Sequence, residues 1–138
     1  MVLRGSFSAE AMNKKISVLL VEDNPADSQF VQEILPSEAY KIDTASNLHD
    51  AKMRCSDTVD VILLDLTLPD GMGLETFLTL SAHCKNTPIV ILTGLVDEDV
   101  ALKAVKLGAQ DYLLKKDLSE TVLDRSIHYS IERMNHRE

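Results

Sequence analysis

Four apolar runs in this sequence are each followed at once by a side chain that can carry charge or donate a hydrogen bond. The runs end in "LLVEDN", "LLDLT", "VILTG" and "DYLLKK". They contribute Glu22 and Asp23, then Asp65, then Thr93, then Lys115. Three acids, one hydroxyl and one amine are therefore candidates for one shared site, provided that the fold brings the ends of these runs together.

The chemistry of such a group is specific. Carboxylates crowded at one point raise one another's pKa unless a cation lies between them. Magnesium prefers octahedral oxygen ligands, accepts one or two carboxylates and keeps several waters, so it can also hold phosphate oxygens. An aspartate can act as a nucleophile that accepts a phosphoryl group, and that reaction depends mainly on positioning and charge neutralisation.

Each residue alone has a simpler interpretation. Glu22 and Asp23 are typical of turns and helix caps, and Asp65 can simply end a strand. Thr93 is β-branched and suits a strand, while Lys115 is followed by a second lysine and can be a solvated surface residue. Their shared position at the ends of apolar runs favours the joint interpretation.

The elements that must position these residues are visible as two alternating patterns. Helical segments with apolar residues every three or four positions separate five short apolar runs. The runs cover Ile16–Val21, Tyr40–Ala45, Val59–Leu64, Pro88–Thr93 and Asp111–Leu114. Continuous Val, Ile and Leu suit strands that are covered on both faces of a parallel sheet. Five strand–helix repeats predict an α/β fold, a doubly wound five-stranded parallel sheet with five helices.

The helix ends are predicted from capping residues. Asn24 followed by Pro25 is typical of a helix start, and the helix is expected to stop before Pro36. Asp97 is predicted to cap the fourth helix. Asp117, with Glu120 three residues later, predicts a capping box for the last helix. In an open parallel sheet, ligands collect at the carboxyl ends of the strands, where the candidate residues lie.

Bulk properties limit the function. The chain has 138 residues, enough for one domain. Fourteen Lys and Arg against 22 Asp and Glu give a net charge of -8, which disfavours binding to nucleic acid. Cys55 and Cys84 lack metal-ligand spacing and are predicted to be reduced core residues. No apolar run can span a bilayer and the start lacks a leader pattern, so we expect no membrane partner and a cytoplasmic location.

Four segments together carry a family resemblance: "VLLVEDN", "VILLDLTLPDGMG", "VILTG" and "GAQDYLLKK". In this order and spacing they resemble the receiver domain of two-component response regulators. The resemblance covers about residues 15–134, so we expect residues 15–138 to form the receiver domain. It implies a flavodoxin-like sheet with strand order 2-1-3-4-5. Residues 1–14 are predicted to be a disordered extension, either native or left over from cloning, because Met12 resembles a natural start.

The resemblance also implies a metal site. Asp23 and Asp65 would bind Mg²⁺ directly, Glu22 would bind it through water, and the backbone carbonyl of Thr67 would be a further ligand. Mn²⁺ is expected to substitute. Glu22 stands where the family more often has Asp, and its extra methylene suits a water-mediated ligand.

By the same resemblance, Asp65 is the phosphoacceptor and Thr93 and Lys115 contact the phosphoryl oxygens. Tyr112 would be the switch aromatic that turns inward as Thr93 moves. The family usually has a cis proline after the lysine, whereas this chain has Lys116. A non-proline cis bond costs about 3 kcal/mol, which favours a trans peptide here. The approach of Lys115 to the site is therefore not assured by the sequence.

The implied partners are a sensor histidine kinase or a histidine phosphotransfer protein, and an unknown downstream protein that contacts the face formed by the fourth helix, fifth strand and fifth helix. The chain is expected to be a monomer or a phosphorylation-dependent dimer, and not an enzyme beyond its own phosphorylation and dephosphorylation. The ending "LDRSIHYSIERMNHRE" also fits an excised N-terminal receiver of a larger sensor kinase or diguanylate cyclase.

Two other functions remain as alternatives. An Asp-nucleophile phosphatase would carry a second acid two residues after the nucleophile, and here that residue is Thr67. A receiver-like protein that only binds other proteins would not need the complete acid set. Both are therefore disfavoured.

Overall fold

The structure, a computed structural model, describes residues 14–135. Five strands and five helices alternate along the chain. The strands are β1 (Ile16–Val21), β2 (Tyr40–Ala45), β3 (Val61–Asp65), β4 (Ile89–Thr93) and β5 (Asp111–Leu114). The helices are α1 (Pro25–Ile34), α2 (Leu48–Arg54), α3 (Leu74–His83), α4 (Glu98–Lys106) and α5 (Glu120–Asn135). A two-residue antiparallel ribbon, Thr67–Leu68 with Gly71–Met72, follows β3.

The five strands form one parallel sheet in the order β2-β1-β3-β4-β5. The predicted α/β class, strand number and strand order are confirmed. The reversal of strand order lies between β1 and β3, which is where a doubly wound sheet forms its binding crevice. Glu22, Asp23, Asp65, Thr93 and Lys115 end or follow strands at the carboxyl edge of this sheet, whereas Tyr112 lies within β5.

Two apolar cores cover the two faces of the sheet. In β3, Ile62 and Leu64 join the core with Phe77 of α3, whereas Val61 and Leu63 join the core with Leu123 of α5. These four apolar residues of β3 have no exposed surface. This double burial explains the uninterrupted apolar runs, because a strand that is covered on both faces has no solvent side for polar residues.

The start of α1 agrees with the sequence. Asn24 is the N-cap, its side-chain oxygen accepts a hydrogen bond from the backbone N–H of Asp27 at 3.1 Å, and Pro25 opens the helix. A capping side chain satisfies one of the N–H groups that a helix start leaves unpaired. The first turn of α1 is therefore held rigidly beside Glu22 and Asp23.

Of the two other predicted caps, one is correct in position and one was wrong. Asp97 is the N-cap residue of α4, at the end of a 3₁₀ turn over Leu95–Asp97, but its side chain makes no capping hydrogen bond. Asp117 lies in a second short turn, and the hydroxyl oxygen of Ser119 instead accepts the backbone N–H of Val122 at 3.2 Å. Only at α5, which begins at Glu120, does a short turn separate the helix start from the predicted acid.

The cysteines differ from the sequence prediction. Cys55 follows α2 and Cys84 follows α3, and the structure joins them in a disulfide with a Cα–Cα distance of 6.3 Å. The prediction of unpaired, reduced cysteines was therefore wrong. The reason is spatial, because α2 and α3 lie on the same face of the sheet and their ends meet there, while the two residues are 29 positions apart in sequence.

The predicted boundaries of the domain are only partly covered by the structure. Residues 1–13 and 136–138 lie outside the described residues, so the predicted extension at 1–14 stays a prediction. Within residues 14–135, no helix is both long enough and apolar enough to cross a membrane.

Candidate functional site

The acids at the carboxyl edge of the sheet come together as predicted. Val21 of β1 pairs with Leu64 of β3, so the next residues, Glu22 and Asp65, are neighbours across the two strands. One carboxylate oxygen from each of Glu22, Asp23 and Asp65 lies within 4.8 Å of the others. The register of two parallel strands thus builds the acid group directly.

The three carboxyl groups have different environments. Glu22 is buried, Asp65 is partly buried and Asp23 is exposed. Burial, together with the neighbouring carboxylate of Asp65, raises the pKa of Glu22 to about 7, although Lys115 acts in the opposite direction. Near neutral pH Glu22 is therefore partly protonated, and a bound cation would favour release of that proton.

Lys115 reaches this group from the end of β5. Its Nζ lies 2.9 Å from Glu22 Oε1, 2.9 Å from Asp27 Oδ2 and 3.1 Å from Asp65 Oδ2. Burial tends to lower the pKa of Lys115, but hydrogen bonds to Glu22 and Asp27 outweigh it and raise the pKa above its usual range. The ammonium is therefore charged at neutral pH and lies against the candidate phosphoacceptor.

Lys116 stands where the family usually has a cis proline, and the structure shows the conformation of the peptide bond before it. Among residues 14–135 every peptide bond is trans, including the bond from Lys115 to Lys116. Lys115 nevertheless contacts Asp65. The approach of the lysine therefore does not depend on a cis proline in this chain.

The loop after β3 positions the other side of Asp65. The backbone N–H of Thr67 donates a hydrogen bond to Asp65 Oδ1 at 3.1 Å. This bond places the backbone of Thr67 beside the carboxylate, while its carbonyl as a metal ligand stays a prediction. Asp65 is therefore held from two sides, by Thr67 on one oxygen and by Lys115 on the other.

The same loop is fixed to α2. Asp70 accepts hydrogen bonds from the backbone N–H groups of Leu48 at 2.7 Å and His49 at 3.0 Å, and these bonds lower the pKa of Asp70. A Cβ added at Gly71 would lie 3.0 Å from side-chain atoms of both Leu48 and Thr76. Because Leu48 and Thr76 leave no room for a side chain at this position, the first glycine of "PDGMG", Gly71, is explained by close packing.

Thr93 and Tyr112 lie on adjacent strands. Thr93 ends β4 and is buried, and its hydroxyl donates to the carbonyl of Gly94 at 3.2 Å. Tyr112 of β5 donates from its hydroxyl to Glu98 Oε2 at 2.9 Å, and this bond raises the pKa of Tyr112. Thr93 thus lies at the carboxyl end of its strand, whereas Tyr112 pairs with Ile91 in the middle of β4 and is joined to α4.

The donor set suits a hard divalent cation. Glu22, Asp23 and Asp65 offer only oxygen atoms, and their close approach concentrates negative charge. Mg²⁺ prefers such ligands and retains waters that complete its octahedral shell. Together the three residues fit Mg²⁺, and no sulfur or imidazole group belongs to the described cluster.

Comparison with known proteins decides the family. The model of the response regulator receiver domain matches residues 18–127, which include every candidate residue of the site. The chain belongs to this family.

Individual receiver proteins agree with this assignment. The cell cycle transcriptional regulator CtrA of Caulobacter vibrioides is 36% identical over 118 residues, which are 84% of this chain and 50% of that protein. This receiver chain therefore spans about half the length of the curated relatives it matches.

Two solved structures share the receiver fold. The signal receiver domain of a modulated diguanylate cyclase from Desulfovibrio desulfuricans G20 has a TM-score of 0.75 at 28% identity and covers 91% of this chain and all of its own. The receiver domain of a sensor histidine kinase from Pseudomonas aeruginosa PAO1, solved with magnesium coordinated in its active-site cleft, has a TM-score of 0.70 at 26% identity. It covers 86% of this chain and 99% of its own.

Sequence reasoning missed three residues around the receiver site: Asp27, Asp70 and Glu98. Asp27 contacts Lys115, Asp70 holds the loop, and Glu98 binds Tyr112. For Asp27 a signal existed, because "EDNPAD" places an acid in the first turn of the helix that follows the metal-ligand candidates. Asp70 and Glu98 act over long range, and no local pattern indicates their partners.

Proposed function

We propose that Asp65 accepts a phosphoryl group from a phosphohistidine of a sensor kinase or histidine phosphotransfer protein, and that this changes the surface offered to protein partners. The observation that carries the proposal is the contact of Lys115 Nζ with Asp65 Oδ2 beside the acid group. It provides a nucleophilic oxygen, a fixed positive charge and a set of cation ligands at one point.

In the proposed reaction an oxygen of Asp65 attacks phosphorus. A P–O bond forms, the P–N bond to the imidazole of the donor breaks, and the imidazole keeps the electron pair of that bond. Mg²⁺, when held by Glu22, Asp23 and Asp65, supplies positive charge that offsets the phosphoryl oxygens. Lys115 contributes a second positive charge. The hydroxyl of Thr93, which donates to the carbonyl of Gly94 in this structure, would turn to donate to a phosphoryl oxygen.

The proposed output surface is the face of α4, β5 and α5. It carries exposed apolar side chains, which are typical of protein contact sites. They are Val122 and Tyr129 of α5 and Leu102 of α4, together with Leu95 and Val96 in the turn before α4. Tyr112 links this face to Glu98 of α4, so a movement of Thr93 and Tyr112 would alter its shape.

The proposed role is a switch and not an enzyme with an external substrate. Relatives twice the matched length are named transcriptional regulators, which favours a second candidate, a receiver segment within a longer regulator. The predicted absence of direct nucleic-acid contact then applies to the acidic receiver segment alone. A cytoplasmic location and a monomer or phosphorylation-dependent dimer belong to the same proposal.

The direct test is intact-mass measurement after incubation with a small phosphodonor and Mg²⁺. We expect one added phosphoryl group in the wild type and none in Asp65→Asn. Asp57→Asn is a matched control, because Asp57 is an exposed acid outside the site, and it should be labelled like the wild type. An unchanged mass of the wild type would contradict the proposal, and turnover of a generic phosphomonoester would instead favour a phosphatase.

The donor can be found by phosphotransfer profiling. Each autophosphorylated histidine kinase and phosphotransfer protein of the source organism is offered briefly with Mg²⁺, and label on Asp65 is measured. Preferential labelling by one donor supports the proposed pathway. If only a small phosphodonor labels Asp65, the proposed chemistry of Asp65 is supported but the proposed class of protein donor is not.

A further inference from the structure

The ammonium of Lys115 is held by more carboxylates than the receiver reaction assigns to it. Glu22, Asp65 and Asp27 all lie within 3.1 Å of Nζ. A lysine ammonium has three N–H donors, so each of these carboxylates can accept one hydrogen bond. Asp27 is therefore a full partner of Lys115 and occupies one of its three donors.

The three carboxylates that contact Lys115 differ in whether they can also bind the cation. Glu22 and Asp65 belong to the acid group that fits a cation, whereas Asp27 is not a member of that group. When Glu22 and Asp65 serve as cation ligands, their oxygens are less available to Lys115. Asp27 then remains as the carboxylate that is free to hold the ammonium.

We propose that Asp27 is a positioning residue that keeps the Lys115 ammonium beside Asp65 while the other two carboxylates hold the cation. This inference rests on the proposed function and concerns the same site. Asp27 does not need to touch the phosphoryl group, because it acts only through Lys115. Its role is to hold the Nζ ammonium of Lys115 in place when the phosphoryl group approaches Asp65.

The local structure makes Asp27 suited to this task. Its backbone N–H is fixed by the side chain of Asn24 in the first turn of α1, and the positive end of a helix dipole favours a carboxylate there. The side chain of Asp27 is 42% exposed and that of Lys115 is 25% exposed. Partial solvent screening limits the strength of this ion pair, so a moderate effect is expected.

A purely structural role is the competing explanation. In that case Asp27 would only stabilise the start of α1, and its replacement would lower the free energy of unfolding without changing the chemistry. The two explanations differ in the rate constant for phosphorylation of folded protein at saturating Mg²⁺. They also differ in whether the effect requires Lys115.

The test compares the wild type with Asp27→Asn, which removes the charge but keeps a similar size. Glu33→Gln is the matched control, because Glu33 is an exposed acid on the same helix whose side chain contacts Gln29. Mg²⁺ is titrated first, with backbone amide NMR shifts as the readout, so that every variant is compared at saturation. The rate constant for labelling of Asp65 by a small phosphodonor is then measured.

We expect Asp27→Asn to slow labelling about fivefold at saturating Mg²⁺, the factor that corresponds to a partly exposed ion pair, and Glu33→Gln to leave the rate unchanged. In a Lys115→Ala background, Asp27→Asn should have little further effect, because the residue through which it acts is gone. An Asp27→Asn rate equal to or above that of the wild type would overturn the inference. So would an equal slowing in the presence and absence of Lys115.

Failure of the proposed function is separable from failure of this inference. If the wild type is not labelled at Asp65, the proposed function fails and this inference fails with it. If the wild type is labelled and Asp27→Asn matches it, only the positioning role is refuted.

Discussion

The buried carboxyl of Glu22 makes stability depend on pH in a defined direction. Burial and the neighbouring Asp65 raise its pKa from 4.5 to about 7 in the folded protein. The folded state therefore binds this proton more tightly than the unfolded chain does. The contribution of Glu22 to the free energy of unfolding is fully present below about pH 4.5 and is lost as the pH rises through about 7.

The magnitude follows from the two pKa values. The interval from 4.5 to about 7, at about 1.4 kcal/mol for each pH unit, corresponds to about 3–4 kcal/mol. The side chain of Glu22 is only 2% exposed, so solvent screening does not reduce this value much. Lys115 already offsets part of the cost of ionisation, and its effect is contained in the raised pKa.

The assay is urea unfolding without divalent cations, followed by far-ultraviolet circular dichroism because the chain has no tryptophan. Wild type and Glu22→Gln are compared from about pH 5 to about pH 8. Glutamine stays neutral throughout, so the wild type should lose about 2–3 kcal/mol relative to the variant over this range, which covers most of the interval between the two pKa values. Glu33→Gln, an exposed replacement, should parallel the wild type.

Parallel pH profiles for the wild type and Glu22→Gln would refute this reasoning, because they would mean that Glu22 ionises equally well in both states. Added Mg²⁺ provides a second measurement. A bound cation favours the ionised carboxyl, so Mg²⁺ should raise the free energy of unfolding of the wild type more at high pH than at low pH.

Three further predictions concern the surroundings of the site. Phe77→Ala, at a side chain with 1% exposure, should lower the free energy of unfolding by about 3–5 kcal/mol in urea, because it leaves a cavity under the sheet. Asp70→Ala removes two hydrogen bonds to the start of α2 and should cost about 1 kcal/mol in the same assay. Glu98→Gln should bring the pKa of Tyr112 back towards its ordinary value, as measured by alkaline absorbance titration with Tyr112→Phe as the reference.

The fold was predictable because its strands are buried on both faces. The runs at 16–21, 40–45 and 111–114 match β1, β2 and β5. The third strand was predicted to begin at Val59 but begins at Val61, because the backbone N–H of Val59 closes a turn with the carbonyl of Ser56. Asp97 is the N-cap residue of α4 but makes no capping hydrogen bond. The cap at Asp117 was wrong because this residue lies in a 3₁₀ turn, and Ser119 accepts the hydrogen bond from the start of α5 instead. A local capping pattern does not reveal which side chain makes the capping hydrogen bond.

The site was predictable to the extent that it lies along strand ends. Glu22, Asp23 and Asp65 come together because strand register alone places them. The contact between Asp27 and Lys115 joins residues 88 positions apart, and the pairing of Cys55 with Cys84 depends on how two helices pack. Such contacts are set by tertiary geometry, and one sequence without relatives gives no direct signal for them.

The reach of Lys115 from the last strand to the acids of the first has a consequence during protein synthesis. The ribosome delivers Glu22, Asp23 and Asp65 before it delivers β5 and Lys115. A nascent chain therefore holds the acids but lacks their fixed positive charge. The site becomes complete only when β5 joins the sheet and brings Lys115 to the acids.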